Sequence, residues 1–382
     1  MSTEMTTTLD KLSRFYEELK KPFVGRDEEA KALTLALISR EHLILLGEPG
    51  TAKTALVMRA ASLLKAKYFQ YLLTKYTEPS ELFGPLDIVA LRKGIYRRIT
   101  KNRLPDADIV FLDEIFKANS AILNSLLSIL NERIFYDYNG PVKLKLWCLI
   151  GASNEVPEET ELQGFYDRFV IRHLVKPVNE TLWENLLKAG WEIERKTAIS
   201  HESVLSLEEL SKIHEKIWMV RYDHVLKHLL RLFSIFEDQG LHLTDRRKVK
   251  ALKIIVAHAL LNGRNVVTKE DLMALKYVVP YSLDDFEKVE TIIYEELKLK
   301  EAFIRILSEA RENIKYLKRN ISEIRSAEEL QNILFGLRRT ENKLGEIALA
   351  TTDYNVQKEI DELSQMINEL KETISKKLEG AL

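Results

Sequence analysis

One loop motif constrains the fold of this chain more than any other feature: Gly47-Glu48-Pro49-Gly50-Thr51-Ala52-Lys53-Thr54. It directly follows the apolar run His42–Leu46 and precedes a helical pattern over Ala55–Lys65. A strand, a glycine-rich loop and a helix in this order form a phosphate-binding loop, because backbone N–H groups and the positive end of the helix dipole hold phosphate oxygens. We expect Lys53 to reach the β- and γ-phosphates of ATP and the Thr54 hydroxyl to bind Mg²⁺.

Ala52 departs from the strict form of this motif, which has glycine at that position. Alanine is the smallest replacement, but its Cβ makes a positive φ angle less accessible than it is for glycine. The alternative interpretation is a Gly-Pro turn that happens to precede a lysine and a threonine.

Two acidic residues follow a second apolar run, Ile109–Leu112. Such a run predicts a buried strand. The strand would deliver Asp113 to the Mg²⁺ shell and place Glu114 to activate the attacking water as a general base. The alternative is a pair of acids that only ends a strand. Because a phosphate-binding loop lies upstream, we favour a site that binds and hydrolyses ATP.

A third apolar run, Leu146–Ser153, ends at Asn154. An amide at the tip of a neighbouring strand can hold a water molecule against the γ-phosphate, although an isolated asparagine at a strand end is usually a turn former. Beside the two motifs above, Asn154 is predicted to be catalytic.

Strands alternate with helical patterns such as Ser120–Asn131 up to about residue 180, which predicts an α/β layer structure with a parallel sheet. The strand signal then disappears and helical patterns follow. They are Ser206–Met219, His224–Glu237, Arg246–Leu261 and Lys269–Val278. We therefore predict a nucleotide-binding core over residues 1–180, an all-α lid over 181–282 and a third region over 283–382.

Apolar residues recur at heptad spacing in this third region, and the spacing predicts helices that pack along a shared seam. Ser326 and Thr352–Asp353 are candidate N-caps. We expect a coiled-coil-like helical hairpin or three-helix bundle; the alternative is that these helices complete the lid. The two series are Ile304, Leu307, Ala310, Ile314, Leu317, Ile321 and Ile324, then Val356, Ile360, Leu363, Ile367, Leu370 and Ile374.

Charge and composition exclude several classes of protein. The net charge of −1 gives no global basic field for nucleic acid. A single cysteine, Cys148, excludes an intramolecular disulfide and lies in an apolar run typical of a buried thiol. The sequence contains no run of about 18 apolar residues, so it predicts no membrane span. The cytoplasm is therefore the expected location.

These residues together resemble the MoxR family of AAA+ ATPases, and most closely its RavA branch. The resemblance covers residues 23–280 and includes Ala52, which MoxR proteins also carry. RavA has a β-rich module, but residues 283–382 show heptads and almost no strand signal. We therefore expect this chain to lack that module, and we do not expect the partner associated with it. The matching motifs are Phe23–Asp27, Gly47–Thr54, Glu81–Leu86, Ile109–Lys117, Ala121–Leu127, Asn131–Arg133, Ala152–Glu155, Tyr166–Phe169 and Thr244–Arg247.

The resemblance implies further site residues. Asn154 would be the sensor-1 residue, and Arg246 in the lid would be sensor 2, with the adjacent Arg247 as an alternative. Arg168 would be an arginine finger that acts on the γ-phosphate of a neighbouring subunit, which requires a head-to-tail ring, typically a hexamer in this family. The alternative for Arg168 is an ordinary ion pair with Asp167 or another acid, and Arg172 is a weaker candidate for the same role.

Nucleotide contacts by the remaining motifs are also implied. Val24 and Gly25, with Arg26, would lie near the adenine, and Ala55 would complete the phosphate-binding segment. Two insertions, Glu81–Leu104 and a hairpin over Phe135–Leu146, would face the ring pore or a partner. Thr268–Asp271 matches a guanine-reading motif only superficially and is predicted to be a helix N-terminus.

The function that the resemblance implies is an ATP-driven, chaperone-like remodeller or maturation factor. It would act on a client protein, with a partner that bears a von Willebrand factor A domain. One alternative is a nucleic-acid-associated AAA+ motor, which the net charge disfavours. Another is a nucleotide-gated scaffold with a slow ATPase.

Overall fold

The computed structural model describes residues 3–138, 140–195, 203–297, 299–321, 326–350 and 354–379. Its contacts divide the chain into two compact units, Met1–Glu290 and Thr291–Leu382. The predicted N-cap at Thr352–Asp353 lies outside the described residues, as does Asn139 in the predicted hairpin turn.

The strands of the described residues belong to the first unit and form two sheets. A five-stranded parallel sheet has the order β2-β3-β6-β1-β7, and β4 and β5 form a separate antiparallel hairpin. In chain order the strands are β1 (Leu43–Leu46), β2 (Tyr68–Leu72), β3 (Ile109–Asp113), β4 (Ile134–Asp137), β5 (Gly140–Lys143), β6 (Cys148–Ser153) and β7 (Ile171–Leu174).

The α-helices surround this sheet, form the lid and build the second unit. In chain order they are α1 (Thr3–Lys20), α2 (Asp27–Ser39), α3 (Lys53–Leu63), α4 (Pro79–Phe83), α5 (Ile88–Leu91), α6 (Ser120–Glu132), α7 (Thr160–Tyr166), α8 (Trp183–Glu194), α9 (Leu207–Lys216), α10 (Leu226–Asp238), α11 (Asp245–Leu261), α12 (Asp285–Glu296), α13 (Leu299–Asn320), α14 (Ala327–Ala350) and α15 (Tyr354–Glu379).

The five parallel strands place their carboxyl ends along one edge of the sheet. Leu46 at the end of β1 pairs with Ser153 of β6 and with Leu174 of β7. Leu72 at the end of β2 pairs with Asp113 of β3. Residues that follow these strands therefore meet at this carboxyl edge, whereas residues that precede them lie at the amino edge. This confirms the predicted α/β layer structure.

The predicted strands at β1, β3 and β6 are confirmed, and so is the hairpin between α6 and β6. Two strands, β2 and β7, were not predicted from the sequence. β2 is an edge strand with only one buried residue, Phe69, and β7 carries Arg172 and His173 within its four residues. Neither strand therefore has the continuous apolar run that marks a buried strand.

The lid helices α9, α10 and α11 agree with the predicted helical patterns. Ser206 and Glu209 form a capping box at the start of α9. The fourth pattern is a 3₁₀ segment, Glu270–Tyr277. Asp271 is fully buried and accepts the backbone N–H of Thr268 at 2.6 Å, so this carboxylate holds the segment's start and is not available to read a guanine base.

The second unit contains the helices α13, α14 and α15, and α15 packs against both of the others. Predicted seam residues such as Leu307, Ile314, Leu363 and Ile367 are buried. Arg311 and Lys318 of α13 form ion pairs with glutamates of α15. The hairpin-or-bundle prediction is therefore resolved as a three-helix bundle.

Cys148 is buried, and burial raises the pKa of its thiol to about 12, as expected of a structural cysteine. None of the helices in the described residues is long and apolar enough to cross a membrane.

Candidate nucleotide site

The loop after β1 has the backbone that a phosphate-binding loop needs. The backbone N–H of Gly47 donates to the carbonyl oxygen of Ser153 at 2.9 Å, which ties the loop to β6. A Cβ on Gly47 would lie 2.4 Å from the carbonyl oxygen of Val175, so only glycine fits there. Gly50 has a φ of 81° and open space beside it. The loop is therefore anchored on one side and open on the other.

Lys53 is the first residue of α3, and its ammonium group lies within the loop. Its Nζ donates to the carbonyl oxygens of Gly47 at 2.7 Å and Glu48 at 2.8 Å. Burial lowers the pKa of Lys53, and the negative charges of Asp113 and Glu114 oppose this shift. A cation held by carbonyl oxygens at a helix N-terminus is placed to bind an anion.

Ala52 adopts the left-handed conformation, with a φ of 64°, at the N-cap position of α3. This is the conformation in which the strict motif uses glycine. Ala52 therefore holds the conformation that glycine has in the strict motif, at a cost of about 1 kcal/mol in backbone strain.

Asp113 and Glu114 stand at the carboxyl edge, where β3 ends. An oxygen of Asp113 accepts the backbone N–H of Glu114 at 3.0 Å. Glu114 has a φ of 53°, and strained backbone of this kind is typical of functional sites. Its carboxylate accepts a hydrogen bond from Asn154 Nδ2 at 3.0 Å and lies 3.2 Å from Nζ of Lys117.

Asn154 and Glu114 meet because β3 and β6 are neighbours in the sheet and both end at the carboxyl edge. The amide thus holds one carboxylate oxygen of Glu114, and the lysine holds the other. Lys117 was not given a role from the sequence, although its spacing of three residues from Glu114 across a turn could have indicated the ion pair.

The chemistry of Thr54 and Asp113 fits Mg²⁺. A hydroxyl and a carboxylate are hard oxygen ligands, and Mg²⁺ usually takes one or two such protein ligands together with phosphate and water. The described residues contain no cluster of three or more His, Cys, Asp or Glu side chains that could hold a metal ion by itself.

The segment predicted to lie near the adenine does lie beside the loop. Gly25 has a φ of 68°, and a Cβ there would lie 3.2 Å from a methyl group of Val178. Arg26 donates to the carbonyl oxygen of Lys176 at 2.6 Å and is one of the charges that lower the pKa of Lys53. Val24 directly precedes this pair, so all three residues share the neighbourhood of the loop.

Arg168 lies away from this cluster. It precedes β7 and therefore sits at the amino edge, at least one strand length, about 13 Å, from the loop. Its Nε has no hydrogen-bond partner among the described residues. Asp167 instead pairs with Arg172 and Arg247, at 3.5 and 3.2 Å. The ion pair considered as the alternative for Arg168 is not formed with Asp167.

Arg172 was the weaker candidate for the same role, and its surroundings argue against it. The side chain is fully buried, and its guanidinium lies 3.9 Å from the ring centroid of Tyr166. Nη1 donates to the carbonyl oxygen of Pro280 at 2.9 Å. Arg172 therefore connects the core to the lid and is not offered to a neighbouring subunit.

Of the two adjacent lid arginines, Arg247 is buried and structural. It donates to the carbonyl oxygens of Phe169, Val170 and Val278, which ties α11 to the start of β7. Arg246 is partly exposed and contacts Asn131 at 3.4 Å.

Asn131 lies near the end of α6, toward the amino edge of the sheet, because the next residue but one, Arg133, donates to the carbonyl oxygen of Leu146 just before β6. Arg246 is therefore not brought to the phosphate loop of its own chain, and a contact with that chain's nucleotide is not supported by this structure.

A parallel sheet in this order, with a phosphate-binding loop after β1, acids after β3, an amide after β6 and a helical lid, is the architecture of an AAA+ ATPase. Two family models match the chain. The MoxR domain of MoxR-vWA-beta-propeller ternary systems matches residues 10–215, and an AAA lid domain matches residues 212–293.

Individual relatives agree with these matches. An uncharacterized protein of Methanocaldococcus jannaschii is 39% identical over 292 residues, 76% of each chain. The chaperone MoxR1 of Mycobacterium tuberculosis is 28% identical over 122 residues, 32% of each chain. The crystal structure of a candidate ATPase from Cytophaga hutchinsonii has the same fold, with a TM-score of 0.64 and 18% identity over 77% of this chain and 96% of that one. The chain belongs to the MoxR family of AAA+ ATPases.

Proposed function

We propose that this protein hydrolyses ATP to ADP and phosphate at the site formed by Gly47–Ala55, Asp113, Glu114 and Asn154. The observation that carries the proposal is the hydrogen bond between Asn154 and Glu114, because it orients a carboxylate beside a phosphate-binding loop. Val24 and Gly25 would contact the adenine.

The proposed reaction uses the chain's own groups as follows. The loop amides and Lys53 hold the phosphates, and Glu114 accepts the proton of the attacking water while Asn154 keeps that carboxylate in place. Thr54 and Asp113 would hold Mg²⁺, which neutralises charge on the phosphoryl oxygens when bound.

We further propose that the active form is a head-to-tail ring, and that the ring is a hexamer, as the resemblance to MoxR proteins implies. Arg168 and Arg246 both lie toward the amino edge of the sheet, away from their own loop. These positions support the proposal that both serve a neighbouring subunit, Arg168 as a finger on the γ-phosphate and Arg246 as sensor 2.

The cellular role proposed here is the remodelling or maturation of a client protein together with a von Willebrand factor A protein, in the cytoplasm. The name of the matching family model, which couples MoxR with vWA, and the chaperone MoxR1 support it. We also propose that the chain divides into domains at residues 1–180, 181–282 and 283–382, and that it is most similar to the RavA branch of the family.

Two substitutions test the chemistry. Glu114→Gln should lower turnover by about 100-fold or more, because it removes the general base, while ATP binding is kept. Lys53→Ala should abolish both binding and turnover. The measurements are phosphate release and the binding of a fluorescent ATP analogue, each made at protein concentrations where a ring forms.

Glu215→Gln, at an exposed lid position, is the matched control and should leave both readouts unchanged. Turnover that survives in Glu114→Gln would refute the site. A wild-type protein that binds ATP tightly but shows no turnover would favour the scaffold alternative.

A further inference from the structure

The two segments inserted into the α/β core carry several large apolar side chains that are exposed. On the first segment Ile88 and Val89 are 66% and 67% exposed, and on the β4–β5 hairpin Tyr136 and Tyr138 are 61% and 62% exposed. We use the name insertion surface for the exposed side chains of residues 88–101 together with those of the hairpin residues 136–138 and 140–143. Large apolar groups left in water at this density mark a surface that binds something.

The two segments form one surface because side chains join them. The rings of Tyr96 and Tyr138 lie 5.4 Å apart, and the guanidinium of Arg98 lies 5.7 Å from the Tyr138 ring. Arg98 Nε is also 3.6 Å from an oxygen of Asp137. Below the surface, Phe83 stacks on Phe135 with centroids 4.8 Å apart. The hairpin and the first segment are therefore held together by both polar and aromatic contacts.

The insertion surface is also strongly positive, although the whole chain is nearly neutral. Residues 88–103 contain six arginines and lysines and no acidic residue. Arg97 pairs with Asp87 at 2.5 Å, and Arg98 faces Asp137. No ion pair is formed by Arg92, Lys93 or Lys101 within the part of the chain that the structure describes, and all three are exposed. These cations are available to a ligand of opposite charge.

We propose that the insertion surface binds an extended polypeptide segment that carries both acidic and apolar side chains. The inference rests on the proposed remodelling function and names the class of client that it would engage. Charge complementarity calls for acidic groups in the ligand. The exposed tyrosines of this surface offer ring faces to peptides and bases alike, so the aliphatic side chains distinguish the two classes of acidic ligand. Ile88, Val89 and Ile95 give bases no ring to stack on, whereas apolar side chains of a peptide pack against them.

The test uses labelled peptides and fluorescence anisotropy. The first probe is an unstructured peptide of glutamate and leucine residues spaced by glycine and serine. A second probe has lysine in place of each glutamate, a third has serine in place of each leucine, and a fourth is oligothymidine. We expect the Kd of the first probe to be at least about tenfold lower than those of the others, and to rise with salt.

Two double variants locate the binding site. Val89→Ser with Tyr138→Ser removes one apolar group from each segment, and Arg92→Glu with Lys93→Glu reverses two unpaired charges. Each should weaken binding of the first probe about tenfold or more, and the fold should persist because all four side chains are exposed. Tyr316→Ser and Lys315→Glu, exposed residues of the second unit, are the matched controls and should bind like the wild type.

Three results would overturn the proposal: equal binding of the lysine peptide, wild-type affinity in both double variants, or tighter binding of oligothymidine that the same variants weaken. The last result would identify a nucleic-acid surface. Because binding is measured without turnover, failure here with an intact ATPase leaves the proposed function standing. Selective peptide binding by a protein without ATPase activity would support the insertion surface and contradict the proposed hydrolysis of ATP.

Discussion

Ala52 shows how a single residue can carry a cost that the fold tolerates. Its left-handed backbone lies at the N-cap of the helix that begins with Lys53, where glycine would be free of strain. We predict that Ala52→Gly raises the free energy of unfolding by up to about 1 kcal/mol, the net of relieved strain and a more flexible unfolded chain. Urea denaturation measures the change.

Ala61→Gly, at an ordinary helical position in α3, is the control for this prediction and should lower stability by about 1 kcal/mol or more, because the same substitution there relieves no strain. A loss of stability in both variants would contradict the strain assigned to Ala52.

At the scale of residues, the sequence best predicts the site residues that lie a few positions after an apolar run. Lys53, Asp113, Glu114 and Asn154 each follow a recognisable run, and the structure brings the last two into hydrogen-bonding contact. The roles of Arg246 and Arg247 were not separable, because adjacent helical residues point about 100° apart and only packing decides which one is buried.

At the scale of elements, the contact between helix α2 and the 3₁₀ segment Glu270–Tyr277 joins the core to the lid. Glu28 of α2 lies 2.7 Å from Nζ of Lys276 and accepts the hydroxyl of Tyr277 at 2.5 Å. Burial alone would favour the neutral carboxyl, but Lys276 and Lys31 lower the pKa of Glu28 to about 2.

A pH dependence follows from that shift. Since the folded-state pKa lies below the ordinary value of 4.5, ionised Glu28 stabilises the fold above about pH 4.5, and the contribution is lost as the pH falls toward 2. We predict that Glu28→Gln lowers the free energy of unfolding at pH 7, and that its difference from the wild type shrinks between pH 4.5 and the lowest pH at which the protein folds. Urea titrations at several pH values measure this, with Glu215→Gln as the flat reference.

A difference between Glu28→Gln and the wild type that stays constant over this pH range would show that the variant acts through packing and not through charge.

Helices were easier to predict than strands in this chain, for a physical reason. The apolar positions of α9 to α11 and of the second unit repeat at helical spacing whatever packs against them. β2 and β7 flank the sheet, and their inclusion depends on pairing with strands far away in sequence. The 3₁₀ form of Glu270–Tyr277 likewise reflects local packing that periodicity does not encode.

At the scale of the whole molecule, Arg168 lies at the amino edge of the sheet, away from the phosphate-binding loop of its own chain. If Arg168 supplies a cation to the γ-phosphate of a neighbour, as proposed, each variant subunit disables the site of another subunit. We predict that mixing Arg168→Ala protein with wild type lowers turnover more steeply than the wild-type fraction falls. Phosphate release at fixed total protein, across a series of mixing ratios, measures this.

Arg338→Ala, an exposed residue of the second unit, is the control in the same mixing series and should give no loss. Rates that are simply the sum of the two proteins' separate activities would show that Arg168 does not act across a subunit boundary.

The segment from Ile115 to Ser153 begins and ends beside two residues that contact each other, Glu114 and Asn154. It leaves Glu114 through α6, turns through the β4–β5 hairpin and returns along β6 to Asn154. α6 is about 20 Å long, so a tilt of about 10° at its first turn would carry its far end by about 3.5 Å. If Glu114 and Asn154 are catalytic as proposed, a displacement of the hairpin and a change in the geometry of hydrolysis would be coupled through the hydrogen bond between these two residues.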